Sequence, residues 1–196
     1  RVAVKNTSGA MDWMVSHQSY SQPGYMSLNL SHEFYASNSQ VQSVTSTDFT
    51  VGTGSQVNTA DTEYVAYLFA DTPNLIKCGS YIGTGSAGQT ISTGFETQWV
   101  LIKNTTNDAN WCLFDSKREP NGKVLYPNLS EKEGGLGTTF SFDSTDGFYV
   151  SAGDPRVDQI DNTYIYVAIA APVVASMTQA QVNEMKLLTT TRAYRA

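Results

Sequence analysis

Residues Val4-Lys5-Asn6-Thr7 recur 98 positions later as Ile102-Lys103-Asn104-Thr105, and Trp13 recurs as Trp111 at the same offset. Asn29-Leu30-Ser31 returns as Asn128-Leu129-Ser130, now 99 positions on. Ser46-Thr47-Asp48-Phe49 returns as Ser144-Thr145-Asp146-Gly147-Phe148, where one added glycine accounts for part of the drift. Asp61-Thr62-Glu63-Tyr64-Val65 matches Asp161-Asn162-Thr163-Tyr164-Ile165 at an offset of 100. Five ordered matches with slow drift predict an internal duplication. A solenoid repeat runs roughly 20–50 residues, so a period near 100 corresponds to a whole small domain. The expected organisation is a first repeat over 1–73, a second over 74–172 and a tail over 173–196. The second repeat has a leading section, Leu75 to Gln98, that the first lacks. An edge left bare by that loss has to be covered by something, and strands lying upstream of Arg1 are the expected cover.

Periodicity assigns the fold class. Short alternating or apolar runs such as Trp99 to Lys103, Trp111 to Phe114, Phe148 to Val150 and Thr163 to Ala170 are separated by turn residues. Turn chemistry is dense at Gly83-Thr84-Gly85, Asn107-Asp108, Pro120-Asn121-Gly122 and Asp146-Gly147. The chain therefore reads as all-β: two tandem antiparallel β-sandwich domains, jelly-roll-like, from an internal duplication. Tyr64 to Phe69 is apolar throughout and reads as a strand buried on both faces. A short C-terminal helix completes the reading. Thr178 and Gln181 form a capping box, and Val182, Met185 and Leu188 share one face. So short a helix needs to dock on its own second domain or on a neighbouring subunit.

Composition excludes several functions. Twelve basic against 18 acidic residues, without a Lys/Arg cluster, argue against a nucleic-acid partner. The longest apolar run, Tyr164 to Ala171, is strand-sized, so membrane insertion is not expected. Charged residues make up 15% of the chain, against roughly 25% in ordinary soluble proteins. Ser, Thr, Asn and Gln supply about a third. Such neutral-polar, aromatic surfaces suit an extracellular or particle-borne protein. The chain begins at Arg1 without a signal peptide and reads as a piece of a longer polypeptide.

Catalytic material is sparse. Cys78 and Cys112 sit in or beside apolar runs and read as reduced, buried thiols. No Cys or His spacing matches a zinc site, and no cofactor is expected. Asp143, Asp146, Asp154, Asp158 and Asp161 form the densest acidic stretch. Their spacing does not match a calcium loop, and they read as turn and capping residues, with metal binding left open. Gly85-Ser86-Ala87-Gly88 lacks the spacing of a nucleophile elbow. Asp115 and Arg118 read as a local clamp in a strand-following turn, where the first repeat carries Ser16-His17-Gln18-Ser19. Trp13 and Trp111 occupy equivalent positions and read as core or inter-sheet packing. The segment holding Tyr20, Tyr25, Phe34 and Tyr35 among small polar residues has the composition of an adaptable recognition surface, and these four are the candidate receptor contacts.

Lys77-Cys78-Gly79-Ser80-Tyr81-Ile82-Gly83-Thr84-Gly85, Thr93-Gly94-Phe95, Trp99 to Lys103, and Trp111 with Leu113-Phe114-Asp115-Ser116 and Arg118 follow one another in order. Phe142-Asp143-Ser144, Gly147-Phe148 and Thr163 to Ala168 continue the series. This set resembles a repeat domain of uncharacterised function in virion proteins of marine bacteriophages, including cyanophages. The resemblance covers residues 76–171 closely and 1–72 more weakly. It implies a non-enzymatic virion structural protein, in a tail fibre or tail appendage and contributing to host-surface attachment. A capsid decoration or cement protein is the alternative, and a carbohydrate-binding or glycosidase-like module is a second. The implied partners are other virion proteins, copies of itself in a symmetric oligomer such as a trimer, and a host cell-surface glycan. The implied location is the surface of the particle, on tail or capsid.

Overall fold

A computed structural model describes residues 1–172 except 21, 46, 86–87, 119–122, 137–138, 144 and 152–153. The expected C-terminal helix lies outside the described residues. Among the described residues there is no α-helix, and every pairing between named strands is antiparallel. The protein is all-β and sandwich-like.

Residues 1–73 supply β1 (Val2–Asn6), β2 (Met14–Ser16), β3 (Gly24–Ser27), β4 (Tyr35–Ala36), β5 (Val41–Val44), β6 (Phe49–Val51) and β7 (Tyr64–Leu68). One sheet has the order β4-β3-β2-β1-β7, and β5 pairs with β6. The rest supplies β8 (Ile76–Ile82), β9 (Gln89–Ile91), β10 (Thr97–Asn104), β11 (Cys112–Asp115), β12 (Lys123–Val124), β13 (Gly134–Gly135), β14 (Phe140–Phe142), β15 (Phe148–Val150) and β16 (Thr163–Ala170). Here β11-β10-β16-β8 form one sheet, β14-β15-β9 another, and β12 pairs with β13.

Strand alternation sorts side chains onto two faces of each main sheet. In the first half, Val2, Val4 and Met14 meet Val41 and Val57 in one core, with Phe49, Val51 and Tyr64 packed against it. In the second, Val100, Ile102, Phe114, Tyr164 and Tyr166 meet Phe140, Phe148 and Val150. The Phe140 ring stacks on both Phe114 and Phe148. A third cluster joins the halves: Met26, Trp111 and Ile165 are buried, with Val15, Leu28, Phe34 and Leu101 packed around them.

The residues that recur in sequence make the same local bonds in both halves. Lys5 Nζ donates to the Asn6 carbonyl at 2.8 Å, and Lys103 Nζ to that of Asn104 at 2.6 Å. Asn6 Oδ1 accepts from Ser8 N at 2.8 Å, and Asn104 Oδ1 from Thr106 N at 2.9 Å. The backbone amides of Trp13 and Trp111 donate to Asn29 Oδ1 and Asn128 Oδ1. Tyr64 and Tyr164 each accept a backbone N–H at 2.8 Å on the hydroxyl and donate it to a carbonyl nine residues earlier. Asp61 and Asp161 both adopt left-handed backbone, with φ of 55° and 61°.

One strand departs from expectation. Tyr64 to Phe69 is not buried on both faces: Tyr67 is 52% and Leu68 58% exposed. The physical reason is position, because β7 lies at the edge of its sheet whereas β16 lies between β10 and β8.

Candidate functional site: the junction of the two halves

The back faces of the two main sheets meet around an apolar cavity of about 270 Å³. Trp13 and Val15 line it from the first half, and Trp99, Leu101, Leu113 and Trp111 from the second. All three tryptophans of the chain therefore face one space. Trp111 is 3% exposed and donates Nε1–H to the Ser27 carbonyl at 2.9 Å, which fixes one half on the other. Packing between sheets is thus what this tryptophan does.

A backbone latch runs along the same junction. Phe34 N donates to the Thr105 carbonyl at 3.1 Å, and Ala109 N to that of Ser31 at 2.9 Å. Glu33 N donates to Asp108 Oδ1 at 2.9 Å, and His32 Nδ1 lies 4.0 Å from Asp108 Oδ2. Under this latch Lys103 is fully buried. Desolvation brings its ammonium down to about 8, opposed by the charges of Asp108 and Glu33.

The four aromatic residues expected to form a recognition surface are split by this arrangement. Tyr20 and Phe34 turn inward, their ring centroids 4.3 Å apart, against the cluster joining the halves. Tyr25 packs on the first core. Tyr35 is 43% exposed, with Tyr25 at 6.0 Å on one side and His32 at 5.9 Å on the other. Segment composition could reveal that aromatics were present, yet not which would be used to hold the halves together.

A buried polar corner of Arg1, His17 and Tyr20 adjoins the cavity, and of its members the sequence pointed only to Tyr20, as a contact residue. His17 is 3% exposed and accepts from Ser19 N on Nδ1 at 3.2 Å. Burial first, then the Arg1 charge, lowers its imidazole to about 2, with the Tyr166 backbone acting in the opposite direction. Arg1 Nη2 donates to the Cys78 carbonyl at 2.6 Å across the two halves. Among the described residues, Arg1 Nε, His17 Nε2 and the Tyr20 hydroxyl are buried without hydrogen-bond partners. Burial also raises the Tyr20 phenol far above its ordinary value.

The other chemistry-bearing groups that the sequence pointed to are engaged in the scaffold. Cys78 and Cys112 are free, buried, and on opposite edges of one sheet, with thiols pushed up by burial to about 11 and about 12. Asp143 accepts from Thr145 Oγ1, Thr145 N and Asp146 N, which holds its carboxyl below the usual range. Asp146 does the same with Ser92 Oγ, Gly94 N and Thr93 N. Asp154 grips Arg156 through Nε and Nη2, and Arg156 also reaches the Tyr126 hydroxyl. Asp158 is fully buried and accepts from Thr84 N at 2.8 Å and Gln89 Nε2 at 3.3 Å. Asp161 holds the left-handed turn before β16. Arg118 bridges Asp115 at 3.7 Å and also Glu133, a partner that spacing did not suggest. Among the described residues, no three His, Cys, Asp or Glu side chains converge as a metal site would need.

No curated protein and no solved structure matches the chain. A family model described as a domain of unknown function, DUF7483, matches residues 1–172, across both halves and the junction between them, and the chain belongs to that family.

Proposed function

We propose that this protein is a non-enzymatic structural module of a bacteriophage virion, borne on a tail fibre or tail appendage and contributing to host-surface attachment. The observation that carries the reading is how its reactive side chains are used. Lys5, Lys103, Asp143, Asp146, Asp154 and Asp158 each tie a loop or neighbouring strand in place. Such a frame presents surfaces and holds its loops rigid without needing a reaction centre. The recurring bonds of Lys5 and Lys103, Asn29 and Asn128, and Tyr64 and Tyr164 support descent from one doubled sandwich unit. The helix proposed for the tail rests on its capping pattern and apolar face. Tyr35, flanked by His32 and Tyr25, is the exposed aromatic we assign to contact with a host glycan.

The test is adsorption. Soluble protein should compete with purified particles for host cells, antibody should label the tail, and Tyr35→Ala should weaken competition several-fold. Labelling confined to tail-free capsids would favour decoration instead. Release of reducing ends from host polysaccharide would favour a glycosidase.

A further inference from the structure

Among the described residues, the second half contains two strands for which the first has no counterpart. β8 pairs along the outer side of β16, from Thr163↔Ile82 to Ile169↔Ile76, and β9 pairs along the outer side of β15. In the first half, β7 and β6 occupy the places of β16 and β15, and among the described residues no strand pairs with their outer sides. The backbone of β7 is nevertheless set for pairing. Phe69 N donates to the Arg1 carbonyl and Thr7 N to that of Glu63, so the odd-numbered residues bond β1. The N–H and C=O groups of Tyr64, Ala66 and Leu68 therefore point to the open side.

Side chains show the same incompleteness. Leu68, opposite Val2 and on the core face, is 58% exposed, whereas Ala168 at the matching place beside β8 is fully buried. Phe49 and Val51 are half-buried, whereas Phe148 and Val150, beside β9, are fully buried. The edge also lacks the usual protection: Tyr64-Val65-Ala66-Tyr67-Leu68 has no charge, no proline and no register shift against β1.

We infer that this edge is a strand-accepting site. Its occupant is a separate polypeptide segment carrying a strand pair with the pattern of β8 and β9. Main-chain hydrogen bonds to Tyr64, Ala66 and Leu68 would supply affinity, and apolar side chains over Leu68 and Phe49 would set register.

The chain's own leading segment is the probe. A synthetic peptide of residues 74–92 is titrated into the 196-residue protein, and amide exchange is read with and without it. The expected result is one-to-one binding, with exchange at Tyr64, Ala66 and Leu68 slowed at least tenfold. Ala66→Pro, which removes an outward N–H, and Leu68→Glu, on the covered face, should each weaken binding at least tenfold. Absence of binding overturns the inference, as does slowed exchange confined to β16. Protection of the β7 amides by self-association, without peptide, also overturns it, because a second copy would then be the cover.

Discussion

Leu68 and Ala168 occupy matching places in the two halves, yet one is largely exposed and the other fully buried. The hydroxyls of Tyr64 and Tyr164 each accept from an amide five residues earlier and donate to a carbonyl nine residues earlier, and again only the second ring is fully buried. The local bonds of each half are thus independent of how completely that half is packed. Hydrogen bonds between near neighbours form wherever the turn forms, while burial depends on strands brought from elsewhere in the chain. Two added strands, β8 and β9, separate a closed half from an open one.

The largest test of that difference is truncation of matching core rings. Phe148→Ala removes a fully buried ring stacked in the second core and should cost about 3–5 kcal/mol in urea unfolding. Phe49→Ala, at the half-buried place, should cost about 1–2 kcal/mol. Equal losses would mean that the first half is covered in solution. A bound strand pair of the kind inferred above should move the Phe49 value toward that of Phe148.

Lys103 supplies the next test. Its folded pKa of about 8 lies below the unfolded value of 10.5, so between these pH values the unfolded chain binds more protons. Stability should therefore rise as pH climbs through that window, by on the order of 3 kcal/mol, and fall back as pH returns to 8. Lys103→Met should flatten this limb relative to wild type. An unchanged profile would show that the latch over Lys103 opens in solution.

The asparagines behind the tryptophans should behave alike in both halves. Asn29→Ala and Asn128→Ala each leave one backbone amide without its acceptor, at about 1 kcal/mol by thermal unfolding. A difference well beyond 1 kcal/mol would show that this local bond senses packing after all. Smallest is Tyr20→Phe, which deletes a buried hydroxyl lacking a partner and should stabilise by up to about 1 kcal/mol. Destabilisation there would mean that the hydroxyl is satisfied, through buried water for instance.

Much of the local architecture was legible in the residues. Lys-Asn at the ends of β1 and β10, and Asp with Tyr three residues on, stand out in the sequence because they recur. That these side chains tie the adjoining turns is what the structure adds. The candidate site was legible only in part. Tyr35 is exposed, but Phe34, its neighbour in the same segment, is packed beside the latch to Thr105. The corner of Arg1, His17 and Tyr20 left no pattern, because Arg1 meets Cys78 across 77 positions. Asp158 shows the same limit: a turn-like acidic stretch gave no sign that one of its members would be fully buried against Thr84.

By itself the sequence determined an all-β chain, the spacing of its turns and the residues that recur in each half, since these depend on strand alternation and on neighbours within a few residues. The tertiary structure alone decided that the back faces of two sheets enclose three tryptophans and that β7 is left as an edge. Those outcomes depend on which distant strands pair, and strand pairing is selected by the burial of whole faces at once rather than by any single residue's preference.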